Sequence, residues 1–393
     1  MINLIKNLSE EYFEEVLEIR RHIHKNPELS FQEFKTSAFI KAKLNEYGIS
    51  YKDGYVKTGI LARIDGAEKG KVVALRTDID ALPIIEVNKL DYTSTNKGVM
   101  HACGHDVHLA SLLGAAKILN KIKDKLQGTV LLIFQPAEEK LPGGAKLMMD
   151  EGVFDEIKPD MIIGQHVMPT MKVGNVGFKS GMYMASTDEI YLTIKGKGGH
   201  GAMPYQIDDT VLIASHIITS LQQIVSRNTK SGIPAVLSFG RFIADGATNI
   251  IPDEVHIEGT FRTMDEEWRK EVHKRIKKMA KSIAQGMGAD CDVNIVDGYP
   301  ALINDADITN SASDFAKEFL GEDNVEDMEI RMTAEDFAYF SEKYPSTFYR
   351  LGTMNPEKGT DFPLHSANFN IDEDALKLSG GLMAWLAYSF LNK

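Results

Sequence analysis

Between Met100 and His108 the chain reads Met-His-Ala-Cys-Gly-His-Asp-Val-His. Nine residues hold three histidines, an aspartate and one of only two cysteines. A soft thiolate, neutral imidazoles and a carboxylate are the donor types of a metal site. The bland alternative is a polar loop around one buried cysteine. Ligands supplied from elsewhere in the chain decide between the two.

Chemistry-bearing residues recur where short apolar runs stop. Val72-Val73-Ala74-Leu75 runs into Arg76-Thr77-Asp78-Ile79-Asp80, placing two acids just past a buried strand, where open α/β sheets build their sites. Loop caps are the competing explanation for that pair. Gly128 to Phe134 ends in Gln135-Pro136-Ala137-Glu138-Glu139. Adjacent carboxylates there raise each other's pKa unless a cation compensates. Asp160 to Gly164 delivers Gln165-His166, and Phe362-Pro363-Leu364-His365 brings one more histidine.

Collected, the candidate metal donors are Cys103, His105, Glu139, His166 and His365. Five donors exceed one tetrahedral ion that keeps an open position. They suit two divalent ions held close together and sharing a water whose pKa falls to around 7. Glu138, beside Glu139 in sequence but directed elsewhere, is then the expected general base. The reaction class is metal-assisted hydrolysis, most simply of an amide.

Two kinds of domain must position these residues. Helices are expected over 9–25, from a Ser30–Glu33 capping box to Gly48, and along Leu109, Leu112, Leu113, Ala116 and Leu119. Strands are expected at 59–64, 71–75, 128–134 and 160–164. Residues 188–195 then alternate as a half-buried strand, followed by a helix over 208–227, strands at 235–243 and 255–262, a helix over 266–287 and a strand at 291–296. That β-α-β-β-α-β order is ferredoxin-like. It predicts an α/β, mixed-sheet catalytic domain made of residues 1–182 and 298–393, with an inserted lid or dimerisation domain at 183–297 and hinges near Gly181 and Pro300. After the insertion the pattern gives a helix near 307–320, a short Thr333-capped helix through Phe337 and Phe340, a strand at 346–351 and an Asp372-capped terminal helix.

Composition excludes other classes. A net charge of −12 with no Lys/Arg run lacks the phosphate-neutralising surface of a nucleic-acid binder. No apolar stretch approaches membrane-span length, and the N-terminus turns acidic at Glu10 before a signal-peptide core forms. Cys103 and Cys291 make no disulfide framework, so a reducing cytoplasm is the expected address.

The chain resembles the aminoacylase, hippurate hydrolase and indole-acetyl-amino-acid hydrolase group, relatives of carboxypeptidase G and succinyl-diaminopimelate desuccinylase. The resemblance runs through Arg21 to Ser30, Arg76 to Pro83, His101 to His108, Gln135 to Glu139, Gly199 to Pro204, Asn249 to Pro252, Gly259 to Arg262 and Pro363 to His365. It implies that Cys103, His105, Glu139, His166 and His365 ligate metal and that Glu138 is the base. It further implies that His200, on the lid, polarises the scissile carbonyl, from its own or a partner subunit, and that Asn249 and Arg262 hold the substrate carboxylate. Asp78-Ile79-Asp80 replaces the His-x-Asp of the carboxypeptidase branch, so Asp78 and Asp80 are expected to support the ligands, as is Asp106. Cys103 favours zinc; manganese, nickel or cobalt could serve. The expected substrate is a small N-acyl amino acid and the expected assembly a homodimer through the lid. Alternatives are an N-acetyl-diaminopimelate deacetylase, a dipeptidase or carboxypeptidase, or a metal-binding pseudoenzyme. The outer histidines are weaker candidates: His22 and His24 for structural roles, His101 and His108 for packing or support beside the site, and His216, His256 and His273 for ordinary lid positions.

Overall fold

Apolar runs too short for helices become the middle of an eight-stranded sheet in the computed structural model, which describes residues 1–393. Its strands are β1 (Ser50–Tyr55), β2 (Gly59–Asp65), β3 (Glu68–Asp78), β4 (Gln127–Gln135), β5 (Met161–Lys172), β6 (Val176–Phe178), β7 (Val325–Asp327) and β8 (Ser346–Met354). They lie in the order β1-β2-β4-β3-β5-β8-β6-β7. The centre, β4-β3-β5-β8, is parallel. The pairs β1–β2, β2–β4 and β8–β6 are antiparallel, so the sheet is mixed. Val73, Ala74, Leu75 and Val130 to Phe134 are completely buried, as a parallel sheet covered on both faces requires.

Six helices matter for the site: α1 (Ile2–Glu11), α2 (Phe13–Lys25), α3 (Phe34–Tyr47), α4 (His105–Lys121), α5 (Ala306–Leu320) and α6 (Leu376–Asn392). Helix α4 packs on β3 and against α2 and α6, so nearly its whole length is buried, not only the expected leucine stripe. Close approach of α6 depends on Gly380, where a Cβ would lie 3.0 Å from the Ser111 carbonyl oxygen. No helix is long and apolar enough to cross a membrane.

Several local expectations change. The helix expected over 9–25 is two helices broken at Tyr12. Ile5 and Leu8 are buried on α1, which packs with α6, whereas Val16, Ile19 and Ile23 are buried on α2, which packs with α4; two burial surfaces need two axes. Helix α3 begins at Phe34 with no side-chain cap, because Ser30 and Glu33 bond elsewhere, and ends as expected at left-handed Gly48. Thr333 caps nothing: its carbonyl accepts from the Ala185 amide, and the short helix Ala338–Ser341 starts after Phe337. Asp372 caps a 3-10 turn, Glu373–Ala375, that leads into α6.

Two compact units divide the chain. The first comprises Met1–Gly181, Ile303–Ile330 and Asp336–Lys393 and holds the large sheet; the second comprises Met182–Leu302 and Arg331–Glu335. In the second, four strands lie in the order Ala235–Ala244, Glu254–Thr263, Asp188–Lys195, Asp290–Asp297, and every pairing is antiparallel. Helices Thr210–Leu221 and Glu266–Gly286 cover one face. Ile190, Leu192 and Ile194 pack there with Ile213, Ile217, Val272 and Ile276. Ala235–Ala244 is an edge strand that leaves Val236 and Phe242 exposed.

Candidate metal centre

Three adjacent parallel strands supply one wall of the site, two from their C-terminal ends and β5 from its middle. β3 ends in Asp78, β4 leads to Glu138 and Glu139, and β5 carries His166. Buried Arg76 holds the strand ends together: Nε donates to Gln135 Oε1 at 2.8 Å, Nη1 to Asp78 Oδ2 at 2.7 Å and Nη2 to Asp336 Oδ1 at 2.7 Å. Asp336 also accepts from Gln135 Nε2 and the Ala145 amide. A planar guanidinium can meet three partners in fixed directions at once.

Hydrogen bonds assign the imidazole tautomers. His105 Nδ1–H donates to the Asp80 carbonyl at 2.9 Å, leaving Nε2 buried with no hydrogen-bond partner. His166 Nδ1–H donates to the Val167 carbonyl at 2.7 Å, and its Nε2 faces Cys103 Sγ at 3.4 Å. His108 differs. Its Nε2 accepts from the Val167 amide at 2.9 Å, so Nδ1–H donates to Asp78 Oδ1 at 2.6 Å. Both of its nitrogens are occupied, and it has no lone pair left for a metal.

The two glutamates leave a tightly held turn. Asp80 Oδ1 accepts from the Glu138 amide and Oδ2 from the Glu139 amide, each at 3.0 Å, and Ser30 Oγ also donates to Oδ2. Glu139 Oε1 lies 3.8 Å from His105 Nε2 and 3.4 Å from His365 Nε2, and Glu138 Oε2 lies 3.9 Å from His105 Nε2. His365 is on a loop fixed by its amide, which donates to the Ala102 carbonyl at 2.8 Å. Its φ of +60° is rare for a residue other than glycine, the kind of local strain that clusters at functional loops.

These donors fit cations. Cys103, His105 and His166 place one ligand atom each within 4.8 Å of one another, and so do Cys103, Glu139 and His365, with Cys103 in both triplets. Glu139 Oε1, like His105 Nε2, is buried without a hydrogen bond. Charge balance points the same way. Burial opposes a charged His105, yet Asp78, Asp80 and Glu139 outweigh burial and raise it to about 10. Burial first, then Glu139, Glu138 and Asp78, push the Cys103 thiol far up. Carboxylates gathered this closely around a thiol and imidazoles favour a cation among them. The second unit offers a contrast: Asp188, His273 and Asp297 also cluster, but Arg269 already neutralises Asp188 at 2.6 Å.

The structure thus brings Cys103, His105, Glu138, Glu139, His166 and His365 together, with Asp78 and Asp80 contacting His105 at 3.8 and 3.3 Å. Asp106 points elsewhere, to Arg20 Nε and His24 Nδ1 at 2.8 Å each. His24, completely buried, also meets Glu86 at 3.1 Å. His101 is buried with neither ring nitrogen hydrogen-bonded, and burial lowers it to about 4. In the second unit, His200 and Asn249 are neighbours: His200 pairs with Ile250, and the Asn249 carbonyl accepts from the Gly201 amide. His200 Nδ1 accepts from the Ala202 amide at 3.1 Å, so its exposed Nε2 carries the proton. Arg262 donates to the Met332 carbonyl at 3.1 Å. Sequence reasoning missed Arg76 and Asp336. Arg76, a lone cation ending an apolar strand, was the one readable signal among them.

Known proteins extend this picture. Residues 74–387 match the family model for Peptidase family M20/M25/M40. The N-acyl-L-amino acid amidohydrolase of Geobacillus stearothermophilus is 44% identical over 300 residues, 76% of this chain and 80% of the relative. The N-acetyl-L-cysteine deacetylase of Bacillus subtilis is 43% identical over 362 residues, 92% of this chain and 85% of the relative. Among solved structures, the Bacillus subtilis YXEP protein, described as a dinuclear metal binding peptidase from the M20 family, aligns with a TM-score of 0.84 at 36% identity. That alignment covers 98% of this chain and 99% of YXEP.

Proposed function

The chain belongs to peptidase family M20/M25/M40, and from that premise we propose that it hydrolyses the amide bond of N-acyl amino acids to a carboxylic acid and a free amino acid. The observation that carries this reading is a buried carboxylate, Glu138, beside five metal-type donors: Glu139 after β4, His166 on β5, His105 at the start of α4, and Cys103 and His365 on loops. Cys103, His105, Glu139, His166 and His365 would hold two divalent ions. The Cys103 thiolate favours zinc over manganese, nickel or cobalt. Bound ions would supply Lewis acidity at the scissile carbonyl and lower the pKa of a water.

The remaining work falls to side chains. Glu138 takes the proton of the attacking water at a carboxylate oxygen and returns it to the departing nitrogen. His200 donates from Nε2–H to the carbonyl oxygen as charge builds there. Asn249 and Arg262 receive the substrate carboxylate, Arg262 in the bidentate manner its fork allows. Asp78 and Asp80 orient His105.

The second unit's β-α-β-β-α-β order and antiparallel sheet support a ferredoxin-like lid at 183–297 inserted into a catalytic domain of residues 1–182 and 298–393. Its open edge strand Ala235–Ala244 supports a homodimer built through the lid. Light scattering at micromolar concentration is expected to give twice the chain mass; the mass of one chain would refute that assembly. A cytoplasmic address agrees with two buried free cysteines.

A panel of N-acetyl- and N-benzoyl-amino acids, N-acetyl-diaminopimelate and dipeptides tests the activity. Zinc-loaded protein is expected to release amino acid from the simple N-acyl substrates at kcat/KM at least about tenfold above that for dipeptides, a difference of ~1.4 kcal/mol. Preferential dipeptide cleavage would move the assignment to a peptidase, and no turnover of any amide would overturn it.

A further inference from the structure

Glu33 is completely buried and lies outside the machinery described so far. Its Oε1 accepts two backbone amides, Phe31 at 2.8 Å and Ala137 at 2.9 Å, and its Oε2 accepts from Thr58 Oγ1 at 2.8 Å. Phe31 and Ala137 are both non-glycine residues at positive φ, +67° and +52°. Ala137 immediately precedes Glu138. With the bonds from Glu138 and Glu139 to Asp80, three successive amides, 137, 138 and 139, are each received by a buried carboxylate. Ser30 Oγ joins the two acceptors by donating to Asp80 while Glu33 lies three residues on.

We propose that Glu33 is a positioning residue which, with Asp80, clamps these three amides and fixes the directions in which Glu138 and Glu139 leave the strand end. The proposal rests on the reading of Glu138 as base and Glu139 as ligand. Its physical basis is the backbone of Ala137. A left-handed alanine costs roughly 1–2 kcal/mol, and a buried amide with no acceptor costs a similar amount. Glu33 offsets both at one atom. Without it, Ala137 relaxes to an ordinary conformation, and the peptide that follows rotates away from Asp80. The two glutamate side chains then turn with it.

Four variants in the full-length protein test the clamp, each read by steady-state kinetics on an N-acetyl amino acid and by zinc affinity in chelator competition. Glu33→Ala is expected to lower kcat at least about tenfold and to weaken zinc binding by about tenfold, the range for groups that orient ligands, with KM changed less than about threefold. Glu33→Gln keeps Oε1 for both amides and turns its amide toward Thr58, so it is expected to behave as wild type. Adding Ala137→Gly to Glu33→Ala is expected to recover most of both losses, because glycine adopts positive φ without steric cost. Where Glu33→Ala yields no soluble protein, Glu33→Asp keeps the charge but draws it back from Ala137, and the same losses are expected. Wild-type kcat and zinc affinity in Glu33→Ala would overturn the clamp. So would a Gln variant as impaired as the Ala variant, or losses that Ala137→Gly leaves in place. Failure of the functional reading looks different: Glu138→Ala would keep its rate, while zinc affinity would still report on Glu33 through Glu139.

Discussion

Glu138→Ala is expected to lower kcat by about 10²–10⁴-fold, equivalent to roughly 3–5 kcal/mol of barrier, with zinc content and thermal midpoint little changed. The separation follows from geometry. Glu138 clusters with His105 and Glu139, but the Cys103–His105–His166 and Cys103–Glu139–His365 triplets are complete without it, so its loss is expected to remove proton transfer and leave those donors in place. Glu138→Gln keeps the shape, cannot accept the proton, and is expected to be as slow. Stopped assays with metal analysis on the same samples check the result. Wild-type turnover in either variant would remove Glu138 from the mechanism.

Arg76→Met is expected to cost the protein about 3–5 kcal/mol, the usual penalty for removing one partner of a buried ion pair. A fall in thermal midpoint of roughly 6–20 °C follows for a domain of this size. The reason is what Arg76 leaves behind: Asp78 and Asp336 are both completely buried, and each loses a charge-assisted bond of 2.7 Å. Arg76→Lys is expected to recover little, because one ammonium cannot span Gln135, Asp78 and Asp336. Differential scanning calorimetry decides the matter. A shift within 2 °C in Arg76→Met would mean that other groups carry the charge of these two aspartates.

Much of the molecule was legible because residue type and period carried it. Val72 to Leu75 and Gly128 to Phe134 could only be buried strands, and the alternation at Ile190, Leu192 and Ile194 announced a sheet with one solvated face. The gathering of Cys103, His105, Glu139, His166 and His365 followed from donors standing at successive strand ends and loops. Contacts that depend on direction in space were not legible. Ser30 and Glu33 have the spacing of a capping box, but spacing does not say which amide a carboxylate will meet, and Glu33 meets Ala137, far along the chain. Asp106 follows His105 on α4, yet consecutive helical residues point about 100° apart, which turns Asp106 toward Arg20. The break at Tyr12 depends on two separate packing surfaces, and a single period along the chain could not reveal it.

The place of β8 in the sheet also sets an order in time. β8 lies directly beside β5, but its residues are synthesised only after the whole second unit. At about 5–20 residues per second, the β5 edge that carries His166 emerges from the ribosome roughly 10–40 seconds before the strand that covers it. Throughout that interval the nascent chain presents an open parallel edge, the feature that most invites wrong pairing. His365 arrives later still. On the proposed assignment, a cation that reached Cys103 and His105 before His365 was made would lack one of its five ligands.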